Sequence, residues 1–412
     1  MSEPKRLKAM ALAAAALAFF TAAGAAAPAG PADAGLMADK AAVVKGNNEA
    51  ALDLYGRLRK QEGNLFFSPF SISTALAMTY AGARGETADQ MADVLRFGLE
   101  QGRLHPAFAA LVEDLQAAKE KKGYELSVAN ALWGQEGFEF LADFLGLVRE
   151  SYGAGLNEVD FKGAAEEARK TINAWVEKQT RDKIKDLIKP GVLGALTRLV
   201  LTNAIYFKGD WASQFDPKRT ADAPFTLAGG DKVNVPMMSQ KAEFGYMDGD
   251  GFQALELPYV GEELSMVVLL PAAGGVKALE DRLTPENVAA WTKGLGKVEL
   301  TVFLPKFKMT WQTELAPVLG AMGMGDAFSA ARADFSGMTG RKDLFISNVI
   351  HKAFVEVNEE GTEAAAATAV VMKLTAVARP LVFRADHPFL FLIRDTRSGG
   401  ILFMGRVMNP AQ

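Results

Sequence analysis

From Leu196 onward the chain repeats one pattern: short runs of apolar, β-branched and aromatic residues that fill consecutive positions instead of alternate ones. Residues 198–207, 253–258, 264–270, 297–303 and 346–357 are of this kind, with 225–227 and 234–238 as shorter pieces. A strand with one wet face alternates with a period of two, so strands that do not alternate need cover on both faces. The first third reads differently. Helical patterns cover 48–59, 69–82, 87–95 and 106–119, then, after a strand at 125–129, 140–152 and 164–180. Ser68 ahead of Pro69 is an N-cap followed by proline at the first helical position. Helices followed by many doubly covered strands predict an α+β fold with large buried sheets.

Stability has to come from that core, because the 412 residues include no cysteine. Neither disulfides nor a lipid-modified N-terminal cysteine is available. At 49% hydrophobic and 23% charged the composition is that of an ordinary globular protein, and a formal charge of −4 gives no pull toward nucleic acid or anionic membranes. Length alone suggests two or three domains. The absence of a linker-like stretch after Gly35, of internal repeats and of any shift in composition argues for one domain over 46–412.

The N-terminus reads as an export signal. Lys5, Arg6 and Lys8 precede the apolar run 10–20, and Ala23-Gly24-Ala25 supplies small residues for cleavage, so 1–25 is expected to be removed. The run is too short to span a bilayer. Residues 26–45 begin as an Ala/Pro/Gly tail and are expected to be disordered; the product is expected to be secreted, extracellular or periplasmic. No Asn-x-Ser/Thr sequon occurs, which fits a bacterial exported protein.

Catalytic signals are missing. The three histidines, His105, His351 and His387, belong to no nucleophile-elbow, zinc or phosphate-loop pattern. The chain is expected not to be an enzyme and to use no metal or cofactor. Lys119-Glu120-Lys121-Lys122 is a short run broken by an acid, and reads as a solvated helix end.

One segment stands apart. From Gly361 to Val371 the side chains are nearly all small, and if extended, one face carries Thr362, Ala364, Ala366, Thr368 and Val370 while the other carries Glu363, Ala365, Ala367, Ala369 and Val371. Both nearby charges, Glu363 and Lys373, fall on the second face, as in a half-buried strand. By composition alone a linker or a short alanine helix is as good a reading.

Asn348 to Ala366, with Glu359-Glu360-Gly361-Thr362-Glu363-Ala364-Ala365-Ala366 at its end, resembles the fifth strand of the main sheet and the reactive-loop hinge of serpins, and Phe383 to Ile393 resembles the family's C-terminal signature. Asn64 to Ser73, Leu201 to Trp211, Ala333 to Met338 and Phe403 to Pro410 are similar to further serpin blocks, in the family's order, so the resemblance covers about 48–410. It implies a single domain of about nine helices and three β-sheets, with a dominant sheet A and a reactive-centre loop at about 360–380. It also implies a suicide-substrate inhibitor of serine proteases, whose cleaved loop inserts into sheet A while the protease is still held as its acyl-enzyme.

Small, uncharged Thr362, Ala364 and Ala366 suit that insertion, which favours an inhibitor over a non-inhibitory relative cut as an ordinary substrate. The resemblance assigns Ser68, Ser71, Asn203 and His351 to the shutter under the sheet, Trp211 to the breach at its top, and Lys306 to an exposed ion pair with Glu359 that delays premature insertion. By the family's usual spacing, sixteen residues on from Glu359, the resemblance implies a reactive bond at Thr375–Ala376, with Leu374 or Lys373 as alternatives. The partner is then an elastase-, chymotrypsin- or subtilisin-like protease before a trypsin-like one, met by a monomer.

Overall fold

The computed structural model describes residues 31–120, 123–153, 155–272, 275–361 and 380–412. Six helices precede or interrupt the first strands: α1 (Pro31–Leu58), α2 (Pro69–Tyr80), α3 (Gly85–Leu95), α4 (Gln101–Glu120), α5 (Ala142–Tyr152) and α6 (Phe161–Gln179). Four shorter ones follow, which makes ten among the described residues against about nine expected. Ser68 caps α2 by accepting from the Ser71 N–H, with Pro69 beginning the helix.

The expected tail at 26–45 is corrected from Pro31 onward, because α1 begins there. Alanine-rich sequence looks like a linker by composition, yet alanine is the strongest helix former once something anchors the helix. Asp39 holds Arg103 and Lys40 holds Asp114, so two ion pairs tie this half of α1 to α4. The expected signal at 1–25, and 26–30, lie outside the described residues. Among the described residues no helix is long and apolar enough to cross a membrane.

The strands are β1 (Leu65–Phe67), β2 (Tyr124–Gln135), β3 (Leu156–Val159), β4 (Leu199–Gly209), β5 (Ala221–Thr226), β6 (Lys232–Gly249) and β7 (Phe252–Pro258). They continue with β8 (Leu264–Pro271), β9 (Gly296–Pro305), β10 (Phe307–Glu314), β11 (Ile346–Val357), β12 (Val382–Arg384), β13 (Phe389–Asp395) and β14 (Ile401–Val407). A five-stranded sheet runs β10-β11-β4-β2-β3, and a nine-stranded one runs β1-β14-β13-β8-β7-β6-β9-β12 with β5 beside β6. The long β6 pairs with β5 at its start, β9 along its middle and β7 at its end, which fuses two of the three expected sheets into one hydrogen-bonded path.

Strand β4 shows why alternation was absent. Leu199, Leu201, Ile205 and Phe207 face the core shared with the nine-stranded sheet, while Val200, Ala204 and Tyr206 enter a second core with Ile172 and Val176 of α6. Phenylalanines join the two sheets: Phe207 meets Phe403 at 5.3 Å and Phe307 meets Phe391 at 5.6 Å, while Phe66 stacks on Phe403 at 5.2 Å within the nine-stranded sheet. Fully burying each such ring contributes about 1.5–3 kcal/mol before packing terms.

Candidate functional site

The centre of the five-stranded sheet carries a polar row through an apolar layer. Register places Thr313 of β10 opposite His351 of β11, His351 opposite Asn203 of β4, and Asn203 opposite Asn130 of β2. The start of α2 lies under this row. Ser68 donates its hydroxyl to the Leu402 carbonyl at 2.6 Å and offers its N–H to His351 Nε2 at 3.4 Å. Asn203 donates from Nδ2 to Ser71 Oγ at 2.7 Å and to Asn130 Oδ1, and Ser71 Oγ donates in turn to Asn130 Oδ1 at 3.2 Å.

His351 completes the network. Its Nδ1–H donates to Asn203 Oδ1, and Nε2 is left to accept from Ser68, which fixes one neutral tautomer. The ring is fully buried, and that burial pushes its pKa down to about 3, although the bond to Asn203 works the other way. The four residues expected in the shutter, Ser68, Ser71, Asn203 and His351, are therefore brought together. Asn130 is an addition to the expected set, its role set by register with Asn203 and not by any local pattern in β2.

The second cluster sits where β11 ends. Trp211 Nε1 donates to the Asn358 carbonyl at 3.0 Å, and its N–H donates to the Glu360 carbonyl at 3.2 Å. Phe215 N–H donates to the Glu359 carbonyl at 2.9 Å, and the Gln214 amide to that of Glu360 at 3.2 Å. Trp211 itself is buried and stacked on Tyr259, with ring centres 4.6 Å apart and planes within 12°. Gly361 has φ +71°, and a β-carbon there would run into Trp211 N and Gly209 O. Only glycine lets the chain turn away this close to β4.

Glu359 is clamped by side chains as well. Lys306 Nζ lies 2.7 Å from Glu359 Oε2, and Thr220 donates its hydroxyl to Glu359 Oε1 at 2.7 Å. The pair is not the exposed one expected, since the carboxylate side chain is only 10% accessible while Lys306 is 38% accessible. Burial acts to raise the Glu359 pKa, but the bonds from Lys306 and Thr220 outweigh it and hold the carboxyl below its ordinary range. Lys306 is placed for this by its position between β9 and β10, where its N–H donates to the Pro236 carbonyl.

Between the clusters, β4 and β11 run parallel and bond directly to one another over nine register pairs from Ile346–Leu199 to Val355–Phe207. Among the described residues no strand stands between them. Thr362, Glu363, Ala364, Ala365 and Ala366, and the expected reactive-bond residues Lys373, Leu374, Thr375 and Ala376, lie outside the described residues.

Comparison with known proteins gives a consistent answer. Residues 45–410 match the family model described as "Serpin (serine protease inhibitor)". The chain is 46% identical over 375 residues to the human leukocyte elastase inhibitor, an alignment that takes in 88% of this chain and 98% of that protein, and 47% identical over 375 residues to the Bos taurus leukocyte elastase inhibitor, with the same coverage. Among solved structures, uncleaved ovalbumin superimposes with a TM-score of 0.82 at 33% identity, covering 90% of this chain and all of that one. Serpin48 of the insect Tenebrio molitor gives 0.78 at 34% identity, covering 89% and 98%. The chain belongs to the serpin family of serine protease inhibitors.

Proposed function

We propose that this chain traps an elastase-like serine protease by cleavage of its own loop, and that the parallel β4–β11 pair is where the cut loop enters. The direct parallel ladder between these two strands carries the reading. A segment leaving β11 at Gly361 and folding back between them would run antiparallel to both, replacing one parallel ladder with two antiparallel ones, which are slightly more stable per residue. On the order of ten added backbone bonds at about 1 kcal/mol net each oppose an ordering cost of about 1–2 kcal/mol per residue, so the balance turns on side-chain fit in the gap. Small Thr362, Ala364 and Ala366 support easy entry.

The name of the two mammalian relatives supports an elastase-like target, in keeping with cleavage at Thr375–Ala376. Cleavage after Leu374 would suit chymotrypsin- or subtilisin-like enzymes, and after Lys373 trypsin-like ones. Monomeric action and export through removal of 1–25 belong to the same proposal, the latter supported by Lys5, Arg6, Lys8 and the apolar run behind them. The two relatives are mammalian, and lend no support to a bacterial character inferred from the missing sequon.

Incubation of the mature chain with elastase, chymotrypsin, subtilisin and trypsin, followed by denaturing gels and mass spectrometry, tests the proposal. A covalent complex and a released fragment beginning near Ala376 are expected. Clean cleavage by each protease without a complex would overturn it in favour of an ordinary substrate.

A further inference from the structure

Arg384 closes β12, the strand that ends the nine-stranded sheet and pairs only with β9 among the described residues. Register sets it beside Phe303, and its guanidinium lies over that ring, 3.6 Å from the centre. Stacking holds a guanidinium flat and leaves its N–H edges able to take a carboxylate through two bonds. Among the described residues no acid takes them. The acids nearest along the two strands are already engaged, Asp386 by His387 Nδ1 at 2.9 Å and Glu299 by Lys241 at 2.7 Å.

The surroundings of this cation are apolar and open. Leu381 and Val382 are 38% and 39% exposed, and both Phe303 and Arg384 are partly exposed. Their position says what covers them. Ala376, which follows the expected cut, is five residues before Leu381, and five extended residues span at most about 18 Å. A globular protease of about 220 residues is about 45 Å across, so one seated on Thr375–Ala376 reaches about 22 Å to each side. Leu381 then falls under it, and Arg384, three residues further along, stands at its margin. A charge at the margin of an interface acts mainly on the rate of encounter.

We infer that this patch is a second contact for the protease that cuts the loop, Arg384 receiving an acidic side chain of that protease beside Leu381 and Val382. The inference rests on the reading that the loop is cut near Thr375. It adds a demand on the target beyond the cut bond: an acid on the side that binds the residues after it.

The full natural chain, Arg384→Gln, Arg384→Glu and Arg384→Lys would each be given to whichever of elastase, chymotrypsin, subtilisin and trypsin cuts the natural chain fastest. The second-order rate of loop cleavage would be read by mass spectrometry at about 0.05 M and about 1 M salt, and thermal melting would show that each variant is folded. At low salt Arg384→Gln is expected to slow cleavage about threefold or more, Arg384→Glu further still, and Arg384→Lys to stay near the natural rate. At about 1 M salt, where charges are screened beyond about 3 Å, the four rates are expected to converge. Leu381→Glu, at an exposed position, sets an acid beside Arg384 and is expected to slow cleavage at low salt in the same way. The inference is overturned if Arg384→Glu or Leu381→Glu is cut at the natural rate at low salt. It is equally overturned if the loss persists undiminished at high salt, since Arg384 would then only shape the strand. Cleavage is read whether or not the protease is trapped, so cutting without a complex would sink the trapping proposal and leave this contact standing, whereas a chain that none of the four cuts would overturn both.

Discussion

His351 donates from Nδ1 to the amide oxygen of Asn203 across the one parallel ladder at the centre of the five-stranded sheet. The bond crosses the line along which β4 and β11 would part. Each residue also reaches α2, Asn203 through Ser71 and His351 through Ser68, so opening the sheet there disturbs the helix start as well.

Asn203→Ala leaves the buried His351 N–H without an acceptor and removes the donor to Ser71 and Asn130. A loss of about 1–3 kcal/mol is expected, since the cost is that of an unpaired buried polar group and not of an average hydrogen bond. Urea unfolding measures it, and a change below about 0.5 kcal/mol would mean that the network does not hold the sheet closed.

Stability should fall as the solution is acidified through the histidine range. Burial pushes His351 down to about 3 and His105 to about 4, while an unfolded histidine titrates near about 6.5. Below about pH 6.5 the unfolded chain takes up protons that the folded chain refuses, so the stabilisation is complete above that pH and is lost on the way down. Each histidine contributes a slope approaching about 1.4 kcal/mol per pH unit between roughly pH 6 and 4.5. His105→Gln should remove about half of the decline in urea midpoints. An undiminished decline would place its source elsewhere.

The match between sequence and fold was uneven for physical reasons. The expected strand 346–357 matches β11 at both ends; its C-terminal end is marked by the polar Asn358-Glu359-Glu360, whereas Leu344 and Phe345 give no such mark ahead of Ile346. Strand β10 was passed over although Phe307, Met309 and Trp311 are buried and Lys308 and Thr310 exposed, the plain alternation that β4 lacks. The expected strand at 125–129 stopped one residue short of Asn130, whose role depends on register with Asn203 and is invisible locally. Trp211 and Lys306 were found through the family resemblance alone, while Thr220, Gln214 and Tyr259, remote in sequence from Glu359, gave no signal.

Lys306→Met should let the hinge go. Glu359 would keep only Thr220 against the cost of burial, and the pair, with Lys306 more than a third exposed, is worth about 1 kcal/mol after screening. Premature insertion of the uncut loop, which this pair is expected to delay and which would remove inhibitory activity, should speed up about fivefold, following that energy. Residual inhibitory activity over time measures it. A half-life equal to that of the natural chain would show that the ion pair does not restrain the hinge.

Gly361→Ala should act in the same direction by another route. Alanine costs about 1 kcal/mol in this left-handed conformation and its methyl has no room beside Trp211 N and Gly209 O. The 358–361 segment should lift away and expose Trp211, whose indole now donates to the Asn358 carbonyl. A red shift and easier quenching of tryptophan emission are expected, and emission identical to that of the natural chain would contradict the clamp.

Thr362→Arg tests insertion itself. Thr362 is the first residue beyond Gly361, so a loop folding back between β4 and β11 would bring it in first. On the parity that sets Thr362, Ala364 and Ala366 on one face, an arginine there would be driven into a closed core, where an unpaired charge costs several kcal/mol. Cleavage by the protease needs no insertion and should proceed at an unchanged rate. The trapped complex should disappear, and cleavage should no longer raise the melting temperature as it is expected to in the natural chain. Complex yield equal to that of the natural chain would show that the loop does not enter at the β4–β11 line, whatever else holds the protease.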